Sequence, residues 1–363
     1  MNKKGILASA LLSLLTPAFS YAAADVLYIN ANVYTVDKST PWVKAFAVEN
    51  GRIVSTGSEK QVRQVTDKLT KVVDLKGQFV MPGFIDAHMH PIRSQLMQNE
   101  DISISAATPL TPEEFGKKLK QYAQKHPNKQ WLVGGAFSWG TFEKVPLNSA
   151  FIDSIVSEQA VIIEDETGHI AIANSKALEL AGITNSTKDP VGGYFGRDKE
   201  GNLDGLLYET AMQGVFRHSP NYSIKQVLKA SKDVLPKLHS LGFTGMKVAQ
   251  GDQLWIEALA KLDLEKSLNM QVSISPYEVD FYRQYPNTEV IENRAKYETD
   301  HVRIDAVKLF ADGVPFGQTM LIKESYPNSD HHGLAMTPAK ELTKKIVHFN
   351  SLGLGVVVHA TGD

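Results

Sequence analysis

Phe79-Val-Met-Pro-Gly-Phe-Ile-Asp-Ala-His-Met-His90 is an apolar run that closes on two histidines. In extended backbone, residues two apart face the same side, so His88 and His90 can converge on one ion. Spacing alone is weak support, because 11 histidines in 363 residues give about a third of one such pair by chance. Two solvated loop histidines are the competing reading. Position adds weight, since two further apolar strands carry metal-competent side chains. Ala306-Val-Lys-Leu-Phe310 holds Lys308 inside it, and Gly355-Val-Val-Val358 delivers His359, then Ala-Thr-Gly-Asp363. In parallel α/β barrels the functional face lies at the carboxyl ends of the strands, where these residues would gather.

Lys308 tells the most. An ammonium in a buried parallel strand is expensive unless it is paired or its pKa falls until it is neutral. A neutral amine can take up carbon dioxide as a carbamate, an anionic oxygen ligand able to bridge two cations. Pairing with Asp305 or Asp312 is the plainer alternative.

Outward from these strands the chain has two rhythms. Residues 25–80 read as short strands: Asp25 to Asn30, Val33 to Val36, Ala45 to Val48, Arg52 to Thr56 and Lys71 to Leu75, with a tight turn at Glu49-Asn-Gly51. After residue 223, helices and strands alternate. Helices are expected at Ile224 to Leu241, Gln253 to Leu268 and Ala339 to Ser351, the last capped by Thr337. Strands are expected at Phe243 to Ala249, Met270 to Ile274, Ile304 to Phe310 and Leu354 to Val358. Such alternation implies a parallel sheet, either doubly wound or closed into a barrel. No Gly-rich phosphate fingerprint follows the first strand, which favours the barrel. The region between, about 95–222, reads as a long insertion. It holds a helix from Pro112 to His126 with Thr111 as N-cap, apolar runs at Trp131 to Ala136 and Ala160 to Ile163, a helix near Ser175 to Ala181, and a hairpin over Gly192 to Gly205.

Composition sets the outer bounds. The chain is 43% hydrophobic with a formal charge of −2, which gives no electrostatic reason to expect nucleic acid or an anionic membrane as partner. A small neutral or polar substrate is the default. Met1-Asn-Lys-Lys4, the apolar stretch Ile6 to Leu15 and Ser20-Tyr-Ala-Ala-Ala24 predict a Sec-type signal peptide over residues 1–22, cleaved after Ala22 or Ala24. The stretch is shorter than the roughly 20 residues a membrane span needs. A periplasmic or secreted protein is expected, and with no cysteine it must rely on its core or on metal rather than on disulfides.

Four linked stretches resemble the amidohydrolase superfamily: Val80 to His90, Thr167-Gly-His-Ile-Ala-Ile-Ala-Asn-Ser-Lys-Ala-Leu-Glu-Leu-Ala-Gly-Ile183, Val307-Lys-Leu-Phe-Ala-Asp-Gly313 and Val358-His-Ala-Thr-Gly-Asp363. They are most similar to its family 3 branch, which includes proteins like N-substituted formamide deformylase. The resemblance runs from about residue 25 to the last residue. It implies a β-sandwich (here residues 23–80) flanking a (β/α)₈ barrel (residues 81–363), with about the first five barrel strands present. It also implies one or two divalent ions, zinc or similar. His88 and His90 would ligate one, a carboxylated Lys308 would bridge, and His359 would ligate the second. The implied reaction is hydrolysis of an amide-type C–N bond by metal-activated water.

In this branch His169, Asn174 and Asp312 fall near the substrate pocket. Loop polarity, capping at Asn174 or Ser175, and a turn at Asp312-Gly313 are equally open readings. The family's sixth-strand histidine and its general-base aspartate would lie beyond residue 363, as would the second half of the sandwich. On that expectation the chain would expose strand edges that permit oligomerisation, and would turn over no substrate by itself. A different class also fits the resemblance: an exported, non-catalytic protein of this fold with a binding or regulatory role in extracellular enzyme production.

Overall fold

A computed structural model describes residues 23–100, 102–103, 110–142, 144–278, 287–327 and 329–363. The expected leader, 1–22, lies outside them. No helix among the described residues is long and apolar enough to cross a membrane. The chain divides into two units, one ending at Gly83 and one spanning Phe84–Asp363.

The first unit is all β apart from one short helical segment, Glu59–Val62 running into a 3₁₀ turn at Arg63–Val65. Val26–Ile29 lies between Ala45–Glu49, antiparallel, and Lys71–Asp74, parallel, with Arg52–Gly57 at the far side of Ala45–Glu49. A second small sheet joins Trp42–Val43, Asn32–Tyr34 and Phe79–Val80. Period-2 alternation puts Leu27, Ala45 and Ala47 on a buried face, where Val62 of the short helix Glu59–Val62 closes over them. The opposite face carries a stacked Tyr28–Phe46 pair that is only half-buried.

The second unit is mixed α/β. Its parallel strands follow one another in chain order. Phe84–Met89 pairs with Phe243–Gly251, which pairs with Gln271–Pro276. A parallel bridge between Tyr277 and Lys308 carries the array on to Ala306–Phe310, which pairs with Gly355–His359. Neighbours that never reverse order exclude a doubly wound sheet, whose order switches at its centre. The described residues form no closed barrel, however. The array is open, with Phe84–Met89 and Gly355–His359 each paired on one side.

The helices Ile224–Ser240 and Gln253–Leu264 pack on this array through Val227, Ala230, Ile256 and Leu259. Ser223 caps the first through a capping box, and Asp252 caps the second. The second ends at Leu264, short of the expected Leu268, because Lys266 takes a left-handed φ of 57° and Ser267 N–H turns back to Leu262 O at 2.8 Å. Helix Ala339–Ser351 starts one residue later than a Thr337 cap would require. Pro338 holds the cap position with no side-chain bond, and Thr337 N–H goes to Ala311 O instead.

The insertion forms a six-stranded mixed sheet in the order Gly193–Arg197, Leu203–Glu209, Ile170–Ala173, Ala160–Asp165, Trp131–Phe137, Ile102–Ser103. Ala160–Asp165 and Ile170–Ala173 are buried throughout because both faces are covered. Ile162, Ala171 and Ala173 face one cluster, with Leu178 and Phe216; Val161, Ile163 and Ile172 face another, with Phe115 and Leu119. The turn between Ala160–Asp165 and Ile170–Ala173 carries His169 to the cavity lined by the parallel strands.

Candidate metal centre

Strand ends and insertion meet at a cavity of about 370 Å³ whose lining includes His88, His90, Lys308, His359 and His169. His88 and His90 come from the end of the first parallel strand, their rings edge to face with centroids 5.3 Å apart. Asp86 fixes the backbone there, accepting the His88 N–H at 2.9 Å. Burial, then the charges of His88, Arg93 and Lys308, push the His90 pKa down to about 4. Partial burial and Lys308 lower His88 too. Both are therefore neutral imidazoles at pH 7, the form a metal takes up.

Lys308 is 5% exposed. Neither expected carboxylate reaches it. Asp305 accepts from Lys247 Nζ at 2.7 Å and from Ser273 Oγ at 2.6 Å. Asp312 accepts the backbone N–H groups of Leu321, Thr361 and Gly362 at 3.0, 3.0 and 2.8 Å. Among the described residues the Lys308 ammonium has only the Phe310 ring, 5.0 Å from nitrogen to centroid. Burial pulls its pKa down to about 8.

His359 donates Nε2–H to Gly313 O at 3.1 Å, and burial lowers its pKa. Its ring stands 4.6 Å from that of His169. His169 arrives from the insertion. Asp165 accepts the N–H groups of Gly168, His169 and Ile170 at 2.9, 3.2 and 3.2 Å, which closes the loop around Gly168, a glycine at φ 74°. Burial raises the Asp165 pKa. Glu209 then accepts from His169 Nδ1 at 2.7 Å.

Asn174 and Asp312, expected near the pocket, are not in its lining. Asn174 accepts from Val161 N and Ala177 N, both at 2.9 Å, and donates to Val156 O and Gln159 O, both at 3.0 Å. It is the N-cap of Ser175–Leu180. Asp312 pins the loop after Ala306–Phe310 against the chain's last residues. The sequence reading missed Glu209, Asp165, the Arg93–Glu164 ion pair and the Tyr277–Gln250 hydrogen bond, all but Glu209 in the cavity wall. Apart from Arg93, which lies in the helix Pro91–Glu100, their only local signal is position near the end of a strand or in the turn after it.

The donor set fits a divalent ion of the zinc type in kind. It offers neutral imidazoles, and Nδ1 of His90 is buried with no hydrogen-bond partner. No three His, Asp or Glu side chains cluster closely enough to form a ready ligand set among the described residues. The histidines stand instead as two pairs, His88/His90 and His169/His359, with Lys308 beside both.

A mixed α/β scaffold thus brings histidines and a buried lysine together at one cavity. Residues 71–363 match the amidohydrolase family, and the chain belongs to it. It is 29% identical over 361 residues to the exoenzymes regulatory protein AepA of Pectobacterium carotovorum, across 95% of this chain and 75% of that protein. It is 25% identical to the N-substituted formamide deformylase of Arthrobacter pascens, across 93% of this chain and 64% of that one. An uncharacterized metal-dependent hydrolase from Pyrococcus horikoshii shares the fold, with a TM-score of 0.66 and 23% identity over 93% of this chain and 65% of its own. The chain thus spans from 64% to 75% of the length of these relatives.

Proposed function

We propose that the protein serves the hydrolysis of a C–N bond in a small amide-type substrate. The observation that carries this is the convergence of His88, His90, Lys308 and His359, from three parallel strands, on one cavity. His88 and His90 would hold one zinc-type ion and His359 would contribute to a second. A bound divalent ion supplies a Lewis acid and acidifies water towards neutrality. Lys308, buried and without a carboxylate partner, is suited to add through its neutral amine to carbon dioxide. A C–N bond forms, a proton leaves, and the resulting carbamate is an anionic donor. The five parallel strands are read as the first five of a (β/α)₈ barrel, and the leader as a signal for export to the periplasm.

Metal content decides the core of this reading. Purified protein should hold stoichiometric divalent metal, and replacing both His88 and His90 with Ala should remove it. Unchanged metal in the double variant would make the pair ordinary loop histidines. A carbamate appears as three extra heavy atoms on Lys308 Nζ in a density map of metal-loaded protein. N-terminal sequencing of exported protein should begin at Ala23 or Asp25.

A second reading is a ligand-binding regulator without turnover. The cavity's Asp165 is spent on holding the His169 loop, and the buried Glu209 on holding the His169 ring. The relative from Pectobacterium carotovorum is also named as a regulator. A panel of amides, formamides and cyclic amides separates the two readings. Metal-dependent hydrolysis supports the enzyme, and saturable binding without product supports the regulator.

A further inference from the structure

We infer that His169, aligned by Glu209, is a metal ligand, and that it shares a second cation position with His359. The inference rests on reading the cavity as a metal site. His169 belongs to no strand of the parallel array, so nothing in the strand pattern counts it among the ligands. Yet the insertion brings its ring within 4.6 Å of His359, centroid to centroid.

The hydrogen bonds fix which nitrogen of each ring is bare. Glu209 is fully buried, and both its oxygens are engaged, Oε2 by His169 Nδ1 at 2.7 Å and Oε1 by the Thr319 hydroxyl at 2.6 Å. A buried carboxylate accepts, so Nδ1 of His169 carries a proton, and the neutral ring that a metal takes up keeps its lone pair on Nε2. That nitrogen has no hydrogen-bond partner among the described residues, and His169 lines the cavity. On His359 the carbonyl of Gly313 can only accept, which places that proton on Nε2 and leaves Nδ1 bare. Each ring therefore has one N–H tied to a fixed acceptor and one free lone pair. Metal-ligating histidines are almost always held this way, by a carboxylate or a backbone carbonyl on the second nitrogen.

The support behind Glu209 is built at a cost. Glu209 adopts φ 52°, a left-handed conformation that a non-glycine residue takes up only when its surroundings compel it. Gly313 passes so close that a Cβ there would lie 2.0 Å from Glu209 Oε1 and 2.1 Å from Thr319 Oγ1. A buried Glu–His pair needed only to satisfy its own charges would not require the histidine to face a cavity beside a second histidine.

The test is zinc titration of the full chain by calorimetry and elemental analysis, with circular dichroism to check folding. His169→Ala should lower the zinc stoichiometry while leaving whatever His88 and His90 bind. Glu209→Gln, a positioning change, should weaken that zinc about 10- to 100-fold. Because either variant can disturb a buried pair, His169→Gln is the second probe: its amide can still donate to Glu209 but offers no imidazole nitrogen. It should lose the same zinc as His169→Ala, and added imidazole should restore zinc binding to the alanine variant. Wild-type protein that binds no zinc overturns the proposed function and this inference together. Wild-type protein whose zinc stoichiometry and affinity are untouched by His169→Gln overturns this inference alone.

Discussion

A lysine buried in a parallel strand without a carboxylate is a liability that the metal-free fold carries at neutral pH. The unfolded Lys308 titrates near 10.5 and the folded one near 8, so between those values the unfolded chain binds more protons. Stability therefore rises with pH across that window. The cost of Lys308 is fully present below about pH 8 and is gone above about 10.5. Lys308→Met should stabilise metal-free protein at pH 7 by about 2–3 kcal/mol, and the gain should shrink towards zero by pH 10.5. Denaturant unfolding at pH 7 and pH 10 checks this, and a variant no more stable than wild type at pH 7 would contradict it. The strand pattern was enough to single out Lys308, His88, His90 and His359. It did not give their partners. Asp305 sits three positions from Lys308, an odd spacing that in extended backbone turns the two side chains to opposite faces. Glu209 lies 40 residues from His169, and only the folding of the insertion sheet joins them.

Elements were legible where periodicity is strong, and less so at their ends. The inner parallel strands Phe243–Gly251, Gln271–Pro276 and Ala306–Phe310 announce themselves as apolar runs because they are largely buried, and the long helices by their amphipathic spacing. Their ends depend on backbone choices that no pattern encodes, such as the left-handed Lys266 and the Pro338 cap. Asn174 shows how a polar residue in a recognisable motif can serve an element rather than a ligand. Its buried amide joins a strand, a helix N-terminus and two turn carbonyls through four hydrogen bonds. Asn174→Ala removes a cap and strands buried polar groups, so it should cost about 3 kcal/mol. Zinc stoichiometry should stay at the wild-type value. A stable variant with altered metal or ligand binding would return Asn174 to the pocket.

The molecule as a whole presents unpaired edges. Phe84–Met89 and Gly355–His359 each bond to one neighbour among the described strands, which leaves a row of backbone N–H and C=O groups on the other side. On the first of these, Phe84 is 51% and Ile85 74% exposed, so an open edge coincides with apolar side chains. Within the N-terminal unit, Tyr34, Trp42 and Phe79 form an aromatic ladder across the small sheet, and the last two are more than half exposed. Natural sheets blunt such edges with charge, proline or a covering segment, and among the described strands none pairs with the free side of Phe84–Met89. The 363-residue chain should therefore self-associate, its apparent mass in light scattering rising with concentration. Ile85→Lys places a charge on the exposed edge without removing a buried contact, and should shift that association towards monomer. Wild-type protein that stays a monodisperse monomer at high concentration would show that the edges are protected in solution. The unequal response of the two edges then matters: if Ile85→Lys leaves association unchanged, contact runs through Gly355–His359 or the aromatic ladder, and the apolar edge at Phe84 and Ile85 is not the surface that joins the copies.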